Sequence, residues 1–194
     1  MIINIKMKNI LIKIINFVLN KKSTDSWHED FIVHLGKILR PNIYVELWLY
    51  KCQLFNRMIP YSNKLIWVDL SSESWKFMKK SKKTSFINMM TDDYYDIIKN
   101  SWIKIDMLFI DANHSKESVK KDFENYFNLV SDNWIILLHD WFPKNKEYTK
   151  SWYCWDWYIA IEELTKNKNS YEMMTIPLPP WLTLCRKRNK HLPW

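Results

Sequence analysis

The chain has 194 residues, a formal net charge of +8 and three cysteines. That length suits one domain with a proper core, and Cys52, Cys154 and Cys185 form neither a disulfide framework nor a metal-ligand spacing, which fits a reduced, cytoplasmic compartment. The positive charge comes from lysines spread along the chain, with a cluster only at Arg186-Lys187-Arg188, Lys190 and His191, and this dispersal argues against a nucleic-acid surface. Ile10 to Leu19 is apolar apart from Lys13 but too short to cross a bilayer, and no small-residue cleavage site follows it.

Residues 1–40 read as a helical segment that packs on the domain. It comprises an amphipathic stretch and then a helix opened by Ser23-Thr24-Asp25, with Phe31, Ile32, Leu35 and Leu39 at helical spacing and Pro41 closing it. Residues 41–194 alternate between strand and helix. Strands are predicted at Asn42–Leu47, Lys64–Leu70, Ser85–Met90, Ile105–Ile110 and Ile135–Leu138. Helices are predicted at Lys51–Met58, Ser74–Lys80, Asp92–Lys99, Lys116–Val130 and Tyr158–Lys166. This order implies a mainly parallel sheet with helices on both faces. Tyr171–Ile176 and Leu182–Arg186, joined by a Pro-rich link, add a hairpin at its edge.

One glycine stands against twelve tryptophans, where average usage of roughly 7% would give ~14 glycines. Several tryptophans occupy turn positions: Trp48 after a strand, Trp134 after Ser131-Asp132-Asn133, and Trp181 after Pro179-Pro180, where φ > 0 is expected. The many Lys, Ile and Asn codons indicate an AT-rich gene, which should deplete tryptophan rather than enrich it. The pattern predicts UGA codons read as glycine at 48, 67, 75, 102, 134, 141, 152, 155, 157 and 181. Trp27 and Trp194 are expected to be tryptophan.

Acidic residues stand at the carboxyl ends of the predicted strands: Glu46, Asp69, Asp92 with Asp93, Asp111 and Asp140. Ligands of doubly wound sheets bind at that edge. With glycine in place of Trp48, the first strand and loop read VELGLYKCQLF, and residues 109–140 read FIDANHSKESVKKDFENYFNLVSDNWIILLHD. Together they resemble class I S-adenosylmethionine-dependent methyltransferases, in particular the small-molecule group whose fourth and fifth strands end in Asp-Ala-Asn-His-Ser and His-Asp. The resemblance covers about residues 40–188. It implies a Rossmann-like α/β fold, a mainly parallel seven-stranded sheet ending in an antiparallel hairpin, with helices on both faces.

By the same resemblance, Glu46, Leu47, Trp48 and Tyr50 lie against the methionyl part of S-adenosylmethionine. Asp69, with Leu70 beside it, takes the ribose hydroxyls, Thr91 and Asp92 take the adenine side, and Asp111 lies near the cofactor. A literal Trp48 would place an indole where backbone must approach the ligand. Asp111 and Asp140 match the carboxylates that hold a divalent cation, Mg²⁺, in related O-methyltransferases, and the third ligand is not evident.

Asp111, His139 and Asp140 form the candidate catalytic set. His139 and His114 are possible bases because imidazole titrates near neutrality, and Asp111 is also placed to cap the following helix. Residues 142–158, with Tyr153 and Asp156, are expected to cover the acceptor pocket. The function implied is methylation of a small-molecule or saccharide hydroxyl. The competing reading is a non-catalytic or nucleic-acid-binding relative using the basic tail and the aromatic surface. A pyrophosphate-binding dinucleotide fold is disfavoured, because the first loop lacks the three-glycine pattern. Oligomeric state is not legible.

Overall fold

Strand and helix alternate as the apolar runs require, and a computed structural model describes residues 26–48, 52–111, 115–139, 156–167 and 169–188. The elements are α1 (Trp27–Leu39), β1 (Ile43–Leu47), α2 (Gln53–Met58), β2 (Lys64–Asp69), a short 3₁₀ turn (Ser74–Phe77), β3 (Thr84–Asn88), α3 (Thr91–Ile98), β4 (Ile105–Ile110), α4 (Lys116–Phe127), β5 (Val130–His139), α5 (Trp157–Leu164), β6 (Tyr171–Ile176) and β7 (Leu182–Lys187). The predicted Ile10–Leu19 helix lies outside the described residues.

The seven strands form one sheet in the order β3-β2-β1-β4-β5-β7-β6. β1 to β5 pair in parallel, and β7 runs antiparallel to both β5 and β6. The reversal of strand order at β1 and β4 opens a crevice at their carboxyl ends.

Two apolar layers cover the sheet. Val45, Leu47, Ile66, Val68, Leu108, Ile110, Ile136 and Leu138 meet α3, α4 and α5 on one face. Tyr44, Leu65, Trp67, Met107, Phe109 and Leu137 meet α1 and α2 on the other. The split follows the two-residue period of a strand buried on both sides.

α1 joins that second layer through Trp27, Phe31, Ile32 and Leu35, and the Trp27 indole N–H donates to Pro179 O at 2.8 Å. Its Gly36 is the chain's one glycine. A Cβ there would lie 2.4 Å from Met58 Cε, so the missing side chain lets α1 approach α2 closely. Arg40, at φ 52°, ends the helix with its N–H on Gly36 O at 2.9 Å.

Three expectations are corrected. The Ser74–Lys80 helix is only the 3₁₀ turn Ser74–Phe77. The long helix stops at Phe127, because Val130 already pairs with Ile105; the register then jumps to Met107↔Ile135, so Ser131–Trp134 bulges within β5. The Pro-rich link closes without a left-handed residue at Trp181, which is buried; among the described residues φ is positive only at Arg40, Trp48 and Cys52.

Candidate active site

Strand register lays out the site. One step beyond the paired residues Leu47, Val68, Ile110 and Leu138, the chain reaches Trp48, Asp69, Asp111 and His139. These four positions form one row at the carboxyl edge, and Glu46 lies two residues deeper. Backbone bonds tie the row together: Trp48 N–H donates to Val68 O at 3.0 Å and Asp111 N–H to Leu47 O at 3.1 Å.

That offset decides what Glu46 can do. It is fully buried, takes a hydrogen bond from the Tyr44 hydroxyl on Oε1, and leaves Oε2 without a partner. Burial pushes its pKa well above the usual carboxylate range, so the neutral acid is favoured there. Leu47 is fully buried core, whereas Leu70 is 53% exposed. Tyr50 lies outside the described residues.

Trp48 breaks the strand's alternation. Its φ of 60° sends the indole to the α3–α4 face, where it packs on that layer. Its N–H faces the Asp122 carboxylate and lowers that group's pKa, although neither the indole nitrogen nor Asp122 Oδ2 closes a full hydrogen bond. The turn's backbone is thereby left at the carboxyl edge.

Asp69 is buried, with Oδ1 accepting from Ser71 N at 2.7 Å. Asn88 Nδ2 donates to Asp69 O at 3.0 Å and to Leu70 O at 2.8 Å, which fixes the β2 and β3 ends together. Thr91 is buried with its hydroxyl on Asp122 Oδ1 at 2.5 Å. Asp92 binds Asn125 Nδ2 at 2.9 Å and Lys121 at 2.6 Å. Both side chains are therefore engaged by α4, and Met89 and Met90 carry the loop's apolar surface beside them.

At the β4 and β5 ends, His139 Nδ1 lies 3.0 Å from Asp111 Oδ1. Phe109 meets the His139 ring edge-on at 6.1 Å, and His28 of α1 packs against it at 4.2 Å. His28 is itself buried, and desolvation, with His139 next in effect, lowers its pKa to about 3. The Asp111 side chain is the more open of the two, 24% exposed against 13% for His139.

Asp140, His114 and most of the expected cover over the acceptor pocket lie outside the described residues. Asp156, at the near end of that segment, accepts from Lys116 N at 2.8 Å and so ties α5 to the start of α4. Among the described residues no three His, Cys, Asp or Glu side chains converge on a cation position. The α4 cap expected of Asp111 is supplied by Ser115, whose side chain accepts from Ser118 N.

Sequence reasoning missed His28 and Asp122. Each lies on the buried face of an amphipathic helix that carries many other polar residues, and no local pattern marks its partner. Of the basic cluster's described residues, Arg186 and Arg188 pair with Glu172, and Lys187 with Asp132. No helix among the described residues is long and apolar enough to cross a membrane.

A model described as a methyltransferase domain matches residues 46–141, the span that contains this row. No curated protein matches the chain. Among solved structures, an O-methyltransferase from Bacillus cereus in complex with S-adenosylhomocysteine is similar at a TM-score of 0.71 and 12% identity, covering 93% of this chain and 90% of that one. TomG from Streptomyces achromogenes, an O-methyltransferase of tomaymycin synthesis in complex with S-adenosylmethionine, has a TM-score of 0.67 at 10% identity, covering 84% and 80%. The S-adenosylhomocysteine-bound methyltransferase PaMTH1 from Podospora anserina has a TM-score of 0.67 at 14% identity, covering 84% and 79%. The crevice, the acidic strand ends and these likenesses define one class: the chain carries a class I S-adenosylmethionine-dependent methyltransferase domain.

Proposed function

We propose that this methyltransferase methylates a hydroxyl oxygen of a small molecule or saccharide. The observation that carries the reading is the Asp111–His139 pair at the mouth of the crevice, two groups able to accept a hydroxyl proton. S-adenosylmethionine, when bound, supplies an activated methyl group, so the chain's own task is alignment and proton removal.

Asp69 offers two acceptor oxygens, matching two vicinal ribose hydroxyls. The loop from Asn88 to Thr91 would line the adenine, and the backbone at 48 the methionyl part. His139 orients the Asp111 carboxylate, and the more open Asp111 meets the acceptor. An anion paired with imidazole there takes the proton as the hydroxyl oxygen attacks. A cation held by Asp111 and Asp140 would lower the acceptor's pKa in the same place, and the proton path above does not require it.

The test is transfer of label from methyl-labelled S-adenosylmethionine to a panel of catechols, phenols, sugars and amines. The expected result is O-methyl product, with Asp111→Asn and His139→Gln each lowering kcat by about 100-fold while leaving S-adenosylhomocysteine affinity within about threefold. Methyl transfer to nitrogen alone, or activity indifferent to both substitutions, would refute the reading.

A further inference from the structure

The two loops that would embrace the cofactor are held from behind by one face of α4. Asp122 is 2% exposed in that face. Its Oδ1 accepts from the Thr91 hydroxyl at 2.5 Å, and the Trp48 indole N–H faces the same carboxylate. One turn on, the Tyr126 hydroxyl donates to Thr91 O at 2.7 Å, and Asn125 reaches Asp92. Four side chains of α4, at positions 121, 122, 125 and 126, therefore fix the start of α3, while Asp122 also abuts the turn after β1.

We propose that Asp122 is a positioning residue for the cofactor: through the Thr91 hydroxyl it holds the loop after β3 from behind, without touching the ligand. This rests on the methyltransferase reading and on the loop after β3 lining the adenine. The chemistry favours the ionised form. An ionised carboxyl accepts from the Thr91 hydroxyl on Oδ1 and turns only acceptor capacity towards the indole N–H, whereas protonation puts a donor on Oδ2, which has no hydrogen-bond partner. The groups facing it are Thr91 and Asp92 of α3, Trp48 of the β1 turn, and Lys121 and Tyr126 of its own helix. Burial, opposed chiefly by the Thr91 hydrogen bond, raises its pKa to about 7. The tie is thus expected to loosen on the acid side of neutrality.

The experiment is calorimetric binding of S-adenosylhomocysteine from about pH 6 to about pH 8.5, to the full chain and to its Trp48→Gly form, each with and without Asp122→Asn or Thr91→Val. Expected is a parent affinity that falls about fivefold to tenfold towards pH 6. Asp122→Asn should bind about tenfold more weakly at the high end and show no such slope, and Thr91→Val, which removes only a hydroxyl, should show a similar loss. Unchanged affinity in Asp122→Asn, or a pH profile identical to the parent's, overturns the role. Should Asp122→Asn fail to fold, the near-isosteric Thr91→Val decides, and its unchanged affinity overturns the proposal. Absence of binding by every form, parents included, overturns the cofactor reading and this role with it.

Discussion

Replacing Trp48 by glycine acts on the one strand end where backbone and side chain disagree. At φ 60° a non-glycine residue carries a strain of roughly 1–2 kcal/mol, which glycine relieves. Against that stand about 0.5–1 kcal/mol of glycine backbone entropy and the packing of a partly buried indole, roughly half of the ~3 kcal/mol that a fully buried large side chain gives. These contributions nearly cancel, so the urea-unfolding free energy of Trp48→Gly is expected within about 2 kcal/mol of the parent. Cofactor affinity should move further, since without the indole packed on the α3–α4 layer the turn's backbone is free to settle against the methionyl group. Calorimetry with S-adenosylhomocysteine is expected to show a gain of at least about tenfold. A stability loss above about 4 kcal/mol without any gain in affinity would mean that the fold is built around the indole. The gene tests the same point independently: TGA is expected at codon 48 and TGG at codon 27, whose indole is hydrogen-bonded to Pro179 O.

Further measurements probe other parts of the molecule. His28 is held neutral by the fold, so its contribution is complete above the unfolded value near 6.5 and is lost as pH falls towards 3, by at most about 1.4 kcal/mol per pH unit. Urea midpoints at about pH 5 and about pH 7 should therefore differ less for His28→Phe than for the parent, and equal differences would rule out a buried neutral imidazole. Asp106 accepts from Asn42 N at 2.7 Å and Ile43 N at 3.0 Å, at the end of the sheet opposite the crevice. Asp106→Ala should cost about 2–4 kcal/mol in chemical denaturation yet leave S-adenosylhomocysteine affinity untouched, and a large affinity change would contradict that separation. Trp67 is fully buried between Phe55 and Phe86 with no partner for its indole N–H. Trp67→Phe removes that unpaired donor and should keep stability within about 1 kcal/mol of the parent. A loss of several kcal/mol would show that indole volume matters more than the orphan donor.

Much of the fold could be read along the chain because its signals are local. Apolar runs of strand length between amphipathic stretches specify a parallel α/β sheet, and the Pro-rich link between two short apolar runs specifies the antiparallel hairpin. Acidic residues following those runs marked the carboxyl edge, and the motif around residues 109–140 identified the family. Burial at the site was not local. Glu46 and Asp69 look alike in sequence, each an acid ending a strand, but the β1–β2 register places Glu46 two residues below the rim, where desolvation favours its neutral form. His28 reaches His139 only because α1 crosses behind the β4 and β5 ends, and Asp122 reaches Thr91 only because α3 and α4 share a face of the sheet. Legible along the chain were the alternation of strand and helix, the family, and the acids at or near the strand ends. That Glu46 is driven towards its neutral form, and that α1 and α4 back the site, came from the tertiary packing, because desolvation and side-chain contact depend on how separate elements cross in space.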